Sequence, residues 1–284
     1  MKLLPFLLVA VLTLTLWSCN IIDNPIQAPQ EPTDTGQDVK QNVLIEDYTG
    51  HTCGNCPEAA DVAHQIQTTY GSDRVIVVAV HAGPFATPIP PEYPTNWACP
   101  EGEELDKTFR ISRAGNPNGL VNRTTYNGKF IQSKDNWAPV TVDLLAKSPL
   151  LDIKASPTWN STSKSVSLAV DVQYLADGTE DYYLCAWIIE NGLVGDQTDY
   201  RVSPSHVTNY KFEHVLRGTL NGTWGEQLSA TPVAKGTTIT KQINYTFPDG
   251  KTWNPDNCEL VVFVHRYGTT KNVVQVVKTK LTSK

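Results

Sequence analysis

The chain has 284 residues, 40% of them apolar and 9% aromatic, which is enough to bury a proper core and a length that suits two domains of ordinary size. Its formal charge is −6 at pH 7 and it holds no basic run, which argues against nucleic acid or an anionic lipid surface as its main partner. It carries 6 cysteines, so the compartment bears on the chemistry from the start.

The N-terminus reads Met1, Lys2, then an apolar run from Leu3 to Leu16 followed by Trp17, Ser18 and Cys19. A charged start, an apolar stretch too short to span a bilayer comfortably and a small residue before the cut make residues 1–18 a signal peptide. Leu16-Trp17-Ser18-Cys19 resembles a bacterial lipobox, which makes Cys19 the lipidated first residue of the mature chain and joins the protein to the membrane through that lipid. With Asn20 and not Asp after it, the outer membrane is the expected destination, on its periplasmic or cell-surface face. Removing Lys2 with the signal takes the formal charge from −6 to about −7. Residues 19–40, rich in Pro, Gln, Asp and Thr, read as a lipid-anchored tether reaching at most about 70 Å, at roughly 3.3 Å per residue.

The first folded segment is expected over 41–148. "NVLIEDY" (42–48) is strand-like; Ala59, Val62, Ala63, Ile66 and Tyr70 then recur at helical spacing, and Gly71 stops that helix. "RVIVVAVH" (74–81) is a continuous apolar strand of the kind buried on both faces of a parallel sheet. After a Pro-rich loop (82–102), a short helix is expected over 103–112 and a hairpin over 119–132, turned at Asn127-Gly128. A closing helix over 135–147 completes the order β-α-β-α-β-β-α.

From 149 to 284 the pattern changes to seven strand-like runs separated by Asn, Gly, Asp and Pro turns, with plain alternation at Val166, Leu168, Val170 and Val172. Such spacing predicts an all-β, immunoglobulin-like sandwich, a module that binds or spaces more often than it catalyses. Cys185 and Cys258 lie on two of these runs; they either bridge the sandwich or stay as buried free thiols. Cys99, in the Pro-rich loop, is then the odd thiol. His214, Arg217, Gly218, Trp224 and Trp253 are weaker candidates for a ligand surface, with ordinary packing the more usual role of such residues.

Chemistry concentrates in Cys53-Gly54-Asn55-Cys56, at the junction of the first strand and helix. A thiolate at a helix N-terminus meets unpaired N–H groups and the positive end of the dipole, so its pKa falls and it attacks disulfides. Cys53, on the solvent side, is the expected nucleophile, and Cys56, one turn inside, the thiol that resolves the mixed disulfide. Pro57, tolerable only in a first helical turn, fixes the helix start near Cys56. Three uses of the pair stay open: reversible redox chemistry, a permanent disulfide staple, or a metal clamp with His51, His64 or His81, although no second CxxC or close His pair completes four ligands. No cofactor is expected.

In element order, and in three places, this segment resembles a thioredoxin-like domain: the CGNC pair after a strand, Asp47 six residues before Cys53, and "AGNPNGLVNR" (114–123) with Pro117 in the position of the family's cis-proline. The resemblance implies that Asp47 moves a proton for Cys56 and that the peptide around Pro117 docks the substrate chain; neighbouring Glu46 is a rival for the buried acid. Thr52 replaces the aromatic that usually precedes the first cysteine, and Asn116 stands where Ile, Val or Thr is commoner. Over the whole mature chain, the lipobox, the CGNC junction, "GNPNGLVNR", "HVLRG" (214–218) and "NCELVVFVHRY" followed by "NVVQV" (257–276) resemble the outer-membrane-protein-28-related lipoproteins of Bacteroidetes. Two functions remain in view: thiol-disulfide exchange on envelope or surface proteins with thiols or disulfides, or a surface adhesin or scaffold whose disulfide is structural.

Overall fold

The computed structural model describes residues 39–268 and 271–282. The expected signal peptide, the lipidation site Cys19 and nearly all of the tether lie outside the described residues.

In chain order, β1 (Val43–Thr49) leads through the cysteine loop to α1 (Cys56–Tyr70), then β2 (Val75–His81), α2 (Pro100–Phe109), α3 (Ile111–Ala114), β3 (Asn118–Val121) and α4 (Lys134–Leu145). The second half comprises β4 (Leu151–Asn160), β5 (Ser165–Tyr174), β6 (Tyr182–Glu190), β7 (Leu193–Thr198), β8 (His206–Phe212) and β9 (Val215–Thr219). It closes with β10 (Glu226–Gln227), β11 (Thr238–Thr246), β12 (Cys258–Arg266) and β13 (Val273–Lys280). The chain is thus mostly β-sheet with few helices. Pro57 opens α1 and Gly71, at φ 95°, ends it, as the sequence leads one to expect. The hairpin expected over 119–132 is reduced to β3 and the single bridges Gly119–Gln132 and Tyr126–Lys129, around a turn in which Asn127 (φ 48°) and Gly128 (φ 75°) are both left-handed.

Among the described residues, one sheet runs in the order β13-β12-β6-β9-β2-β1-β3, with β10 on β6. β1 and β2 pair in parallel, and β3 is antiparallel to β1. The sheet curls until its β13 edge returns to the other end: Val273 N–H donates to the Asn122 carbonyl (2.9 Å) and Asn42 Nδ2 to that of Val276 (2.9 Å). Inside the curl lie Leu44, Ile76, Val78, Leu120, Trp187, Ile189, Leu216, Val261 and Phe263, with Leu105, Phe109 and Ile111 of α2 and α3 closing the space. On the outer face, α1 and α4 cover Val43, Ile45, Val75 and Val77. Farther along the same face, the three-stranded sheet β11-β5-β4 packs its alternate residues, Val166 to Val172, on Leu184, Ala186, Ile188, Leu260 and Val262.

Two expectations need correction here. A boundary at residue 148 does not separate two sheets: β9 lies parallel to β2, with Ala79 opposite Val215, and antiparallel to β6, so strands from both halves form one ladder. The physical reason is the edge of β2, whose row of unpaired N–H and C=O groups needs a partner. Cys185 and Cys258 do not bridge a sandwich either, for both are buried free thiols. They sit on neighbouring strands of one sheet, where Cys185 opposes Phe263 and Cys258 opposes Glu190, about 17 Å apart along the strands. Their side chains also enter different cores, Cys185 inside the curl and Cys258 under the three-stranded sheet.

Candidate functional site

Parallel strand β1 ends at Thr49, and the chain turns through residues 50–55 before α1 begins at Cys56. Cys53 N–H donates to the Gly50 carbonyl (3.0 Å) and Cys56 N–H to that of Cys53 (3.2 Å), a tight turn that brings the two cysteines into a disulfide with a Cα–Cα distance of 5.4 Å. The pair therefore sits at the mouth of α1, as the position of Pro57 requires.

Alternation along β1 separates the two acids. Glu46 points into the curl and forms a fully buried bidentate pair with Arg123 (2.8 and 3.0 Å), whose guanidinium lies 5.1–5.7 Å from the rings of Phe109, Phe263, Trp187 and Trp224. Asp47 points the other way, into a cavity of about 40 Å³ that it shares with Cys56, His81, Gln197 and Tyr210. The carboxyl is 2% exposed, its Oδ1 has no hydrogen-bond partner, and desolvation raises its pKa from 3.8 to about 7. A cavity of that size has room for water beside the acid and the inner sulfur. His81 is also buried, with its pKa pushed down to about 3 by desolvation first and by His51 and Arg217 after it, so it faces the cavity as a neutral imidazole.

The structure brings Cys53, Cys56 and Asp47 together. Pro117 follows a cis peptide bond and stands next to Asn118, which opposes Tyr48 at the end of β1; it does not line the cavity. Other candidates resolve into packing. Cys99 caps α2, its sulfur accepting from Gly102 N–H (3.4 Å), and burial pushes its thiol up to about 12. Arg217 pairs with buried Glu190 (3.2 Å), Trp224 donates to Glu104 (2.6 Å), Trp253 packs on Phe247, and burial lowers the pKa of His214 to about 4. Among the described residues no cluster of His, Cys, Asp or Glu is arranged to hold a metal ion, and His64 is exposed on α1.

One expectation about the pair fails. Cys53 is not at the solvent side: it is 3% exposed, as buried as Cys56 at 2%. The hairpin of β7 and β8, from more than a hundred residues away, lies over it. Gln197 Nε2 donates to the Cys53 carbonyl (3.1 Å), Thr198 N–H to that of His51 (2.8 Å) and Tyr200 N–H to that of Gly54 (3.0 Å). A Cβ on Gly54 would come within 2.5 Å of the Tyr200 ring, so only glycine lets that ring lie so close. Gln197, Tyr200 and Tyr210 carry no motif, and only the fold reveals that they belong to this site.

A curled, β-rich body with a CxxC disulfide at a helix mouth defines the class. The family model of outer membrane protein Omp28 matches residues 104–284, and the chain belongs to that family, which places it at the outer membrane. No helix among the described residues is long and apolar enough to cross a membrane. Similar solved structures include HBP35 of Porphyromonas gingivalis, 17% identical with a TM-score of 0.62 over 85% of this chain and 76% of that one, a likeness of fold. A domain of the outer membrane lipoprotein Omp28 from Porphyromonas gingivalis is 20% identical, with a TM-score of 0.31 over 48% of this chain and 90% of that one. No curated protein sequence matches the chain.

Proposed function

We propose that the protein is a lipid-anchored exchange catalyst of the outer membrane, passing electrons between its Cys53–Cys56 pair and thiols or disulfides of envelope or surface proteins. The lipid is placed on Cys19. In this scheme β1 to α4 act as a thioredoxin-like unit, and the second half as an immunoglobulin-like sandwich that shares its main sheet with that unit. From the oxidised state, a substrate thiolate attacks the Cys53 sulfur, and the Cys53–Cys56 bond breaks. Cys56 leaves as a thiolate and takes the proton of Asp47, directly or through water in the cavity. A second substrate thiolate then attacks the substrate's own sulfur of the mixed disulfide and expels Cys53. The substrate gains a disulfide and the protein its two thiols; the reverse sequence reduces a substrate disulfide. Pro117 holds the peptide that docks the substrate.

The observation that carries this reading is Asp47, a buried carboxyl sharing one small cavity with Cys56 and with a pKa of about 7, where it can give and take a proton at neutral pH. A purely structural disulfide has no use for such an acid, and its burial costs stability. Replacing Cys53 by Ser is expected to abolish insulin reduction and ribonuclease reactivation; activity that survives the change rules out this site. The second reading, a surface adhesin or scaffold with a structural disulfide, is favoured by the 3% exposure of Cys53. Equilibration with glutathione buffers separates the two: a potential of roughly −270 to −180 mV supports exchange, and one below about −300 mV supports the scaffold.

A further inference from the structure

The hairpin over the disulfide is held in two different ways along its length. Its base is anchored by apolar packing: Phe212 is 5% exposed and packs with Trp97 and Val215, while Gly195 lies against the Trp97 ring. Beyond a break in register between Gly195 and Gln197, the contacts become mostly polar. They include the three hydrogen bonds from Gln197, Thr198 and Tyr200 to the cysteine loop, Thr198 Oγ1 to the Tyr93 hydroxyl (2.8 Å), and an exposed ion pair of Arg201 with Asp61 on α1 (2.6 Å), beside two ring contacts, His206 stacked on Tyr93 (4.6 Å) and Tyr200 over Gly54. Tyr200 and Val202 at the tip are 67% and 47% exposed, so little apolar surface holds it down. A segment attached by a few polar contacts opens at a free energy well below that of the whole fold.

The form of the contact is also informative. Thr198, the last residue of β7, and Tyr200, in the turn that Val202 N–H closes on the Asp199 carbonyl (3.4 Å), donate their N–H groups, two residues apart, to the carbonyls of His51 and Gly54, a pair of main-chain acceptors that the edge of a bound peptide can also use. The acceptors flank Cys53. A peptide approaching the dithiol in extended form meets these same carbonyls and the bare Gly54 surface.

We infer that residues 197–202 occupy, in the resting protein, the surface on which an extended substrate peptide docks beside Cys53, and that they leave it by hinging at the bulge around Asp196. The hairpin is an internal competitor for the site, and an incoming chain must displace it before the disulfide can be attacked. The inference rests on the exchange reading for what the substrate is, though not for the movement itself.

The test uses the full-length protein, its disulfide reduced by dithiothreitol and quenched by alkylation with mass detection. Two variants are compared with the wild type: Tyr200→Ala/Arg201→Ala, which removes the ring over Gly54 and the guanidinium that bonds Asp61 and Asp199, and Gln197→Ala. Reduction at least tenfold faster in either variant supports the inference, as does hydrogen exchange at the Thr198 and Tyr200 amides at least tenfold faster than in β1. Rates within twofold of the wild type in both variants, with those amides protected as strongly as β1, overturn it. Insulin turnover separates this from the exchange reading. Faster reduction with no turnover in any form leaves the moving hairpin standing and removes exchange catalysis. Turnover by the wild type with neither variant reduced faster and those amides protected as strongly as β1 keeps catalysis and overturns the hairpin.

Discussion

Asp47→Asn is expected to stabilise the oxidised protein, and to do so more as pH rises. The carboxyl titrates near 3.8 when unfolded and at about 7 in the fold, because burial opposes its charge. Between those values the native state binds more protons than the unfolded one, so stability is greatest at low pH and is lost as pH climbs from about 4 to about 7. Each pH unit in that window costs about 1.4 kcal/mol, and the full shift costs about 4 kcal/mol above pH 7. Asn keeps the shape and cannot ionise. The difference between variant and wild type should therefore be near zero at pH 4, grow through the window and level off near pH 8. At roughly 2–4 °C per kcal/mol for a chain of this size, the plateau is about 10 °C in Tm. Thermal or urea unfolding at one-unit pH steps, with the disulfide intact, measures it. A difference that does not change with pH, or one below about 1 kcal/mol at pH 8, refutes the argument that a buried, proton-accepting Asp47 is held at a cost to the fold.

Removing one member of the Glu46–Arg123 pair leaves a fully buried charge alone, so Glu46→Ala or Arg123→Ala should each cost about 3–5 kcal/mol in denaturant unfolding, and the double change Glu46→Gln/Arg123→Met markedly less than their sum. Cys99, Cys185 and Cys258 should resist iodoacetamide at pH 8 in the native protein, because burial pushes each thiol up to about 12, and should label without reductant once the chain is unfolded. Mass analysis in which Cys185 and Cys258 label only after reduction would contradict their separation on the two faces of the sheet.

What the sequence made legible is mostly local. β1, α1 and β2 are bounded by signals within a few residues of themselves: the apolar runs, Pro57 and Gly71. The dithiol and its acid were legible for the same reason, although Glu46 and Asp47 became distinguishable only when Arg123 was seen to take the first. Long-range pairing left weaker marks. Within "CELVVFVHR" the five residues Leu260–Val264 are apolar without a break, in contrast to the alternation of β5, and both faces of β12 prove to be buried. That run carried the information that β12 is a central strand between two cores, where a plain sandwich asks for alternation. "NYKFEHVLRG" reads as one strand but breaks at His214, whose φ of 59° ends β8 and redirects the chain into β9. No residue-level signal announces that break, and none could have placed Gln197 on the carbonyl of Cys53.

The shared sheet changes what the dithiol depends on. If the first half were a free-standing redox unit, a chain ending at residue 148 would fold and keep its disulfide chemistry. Here the inner face of β1 and β2 is covered by Trp187, Ile189, Leu216, Val261 and Phe263, and the open edge of β2 is taken by β9, all from the second half. The same halves meet in the Arg123 pocket, where Trp187, Trp224 and Phe263 flank a cation bound to Glu46 on β1. Cutting at 148 removes these groups together. It also takes away Gln197 and Tyr210, which line the cavity of Asp47. Such a chain is expected to give no cooperative unfolding transition and to aggregate through the bare edge of β2. A soluble, cooperatively folding fragment with the wild-type reduction rate would show that the second half is an attachment and not part of the fold that holds the disulfide.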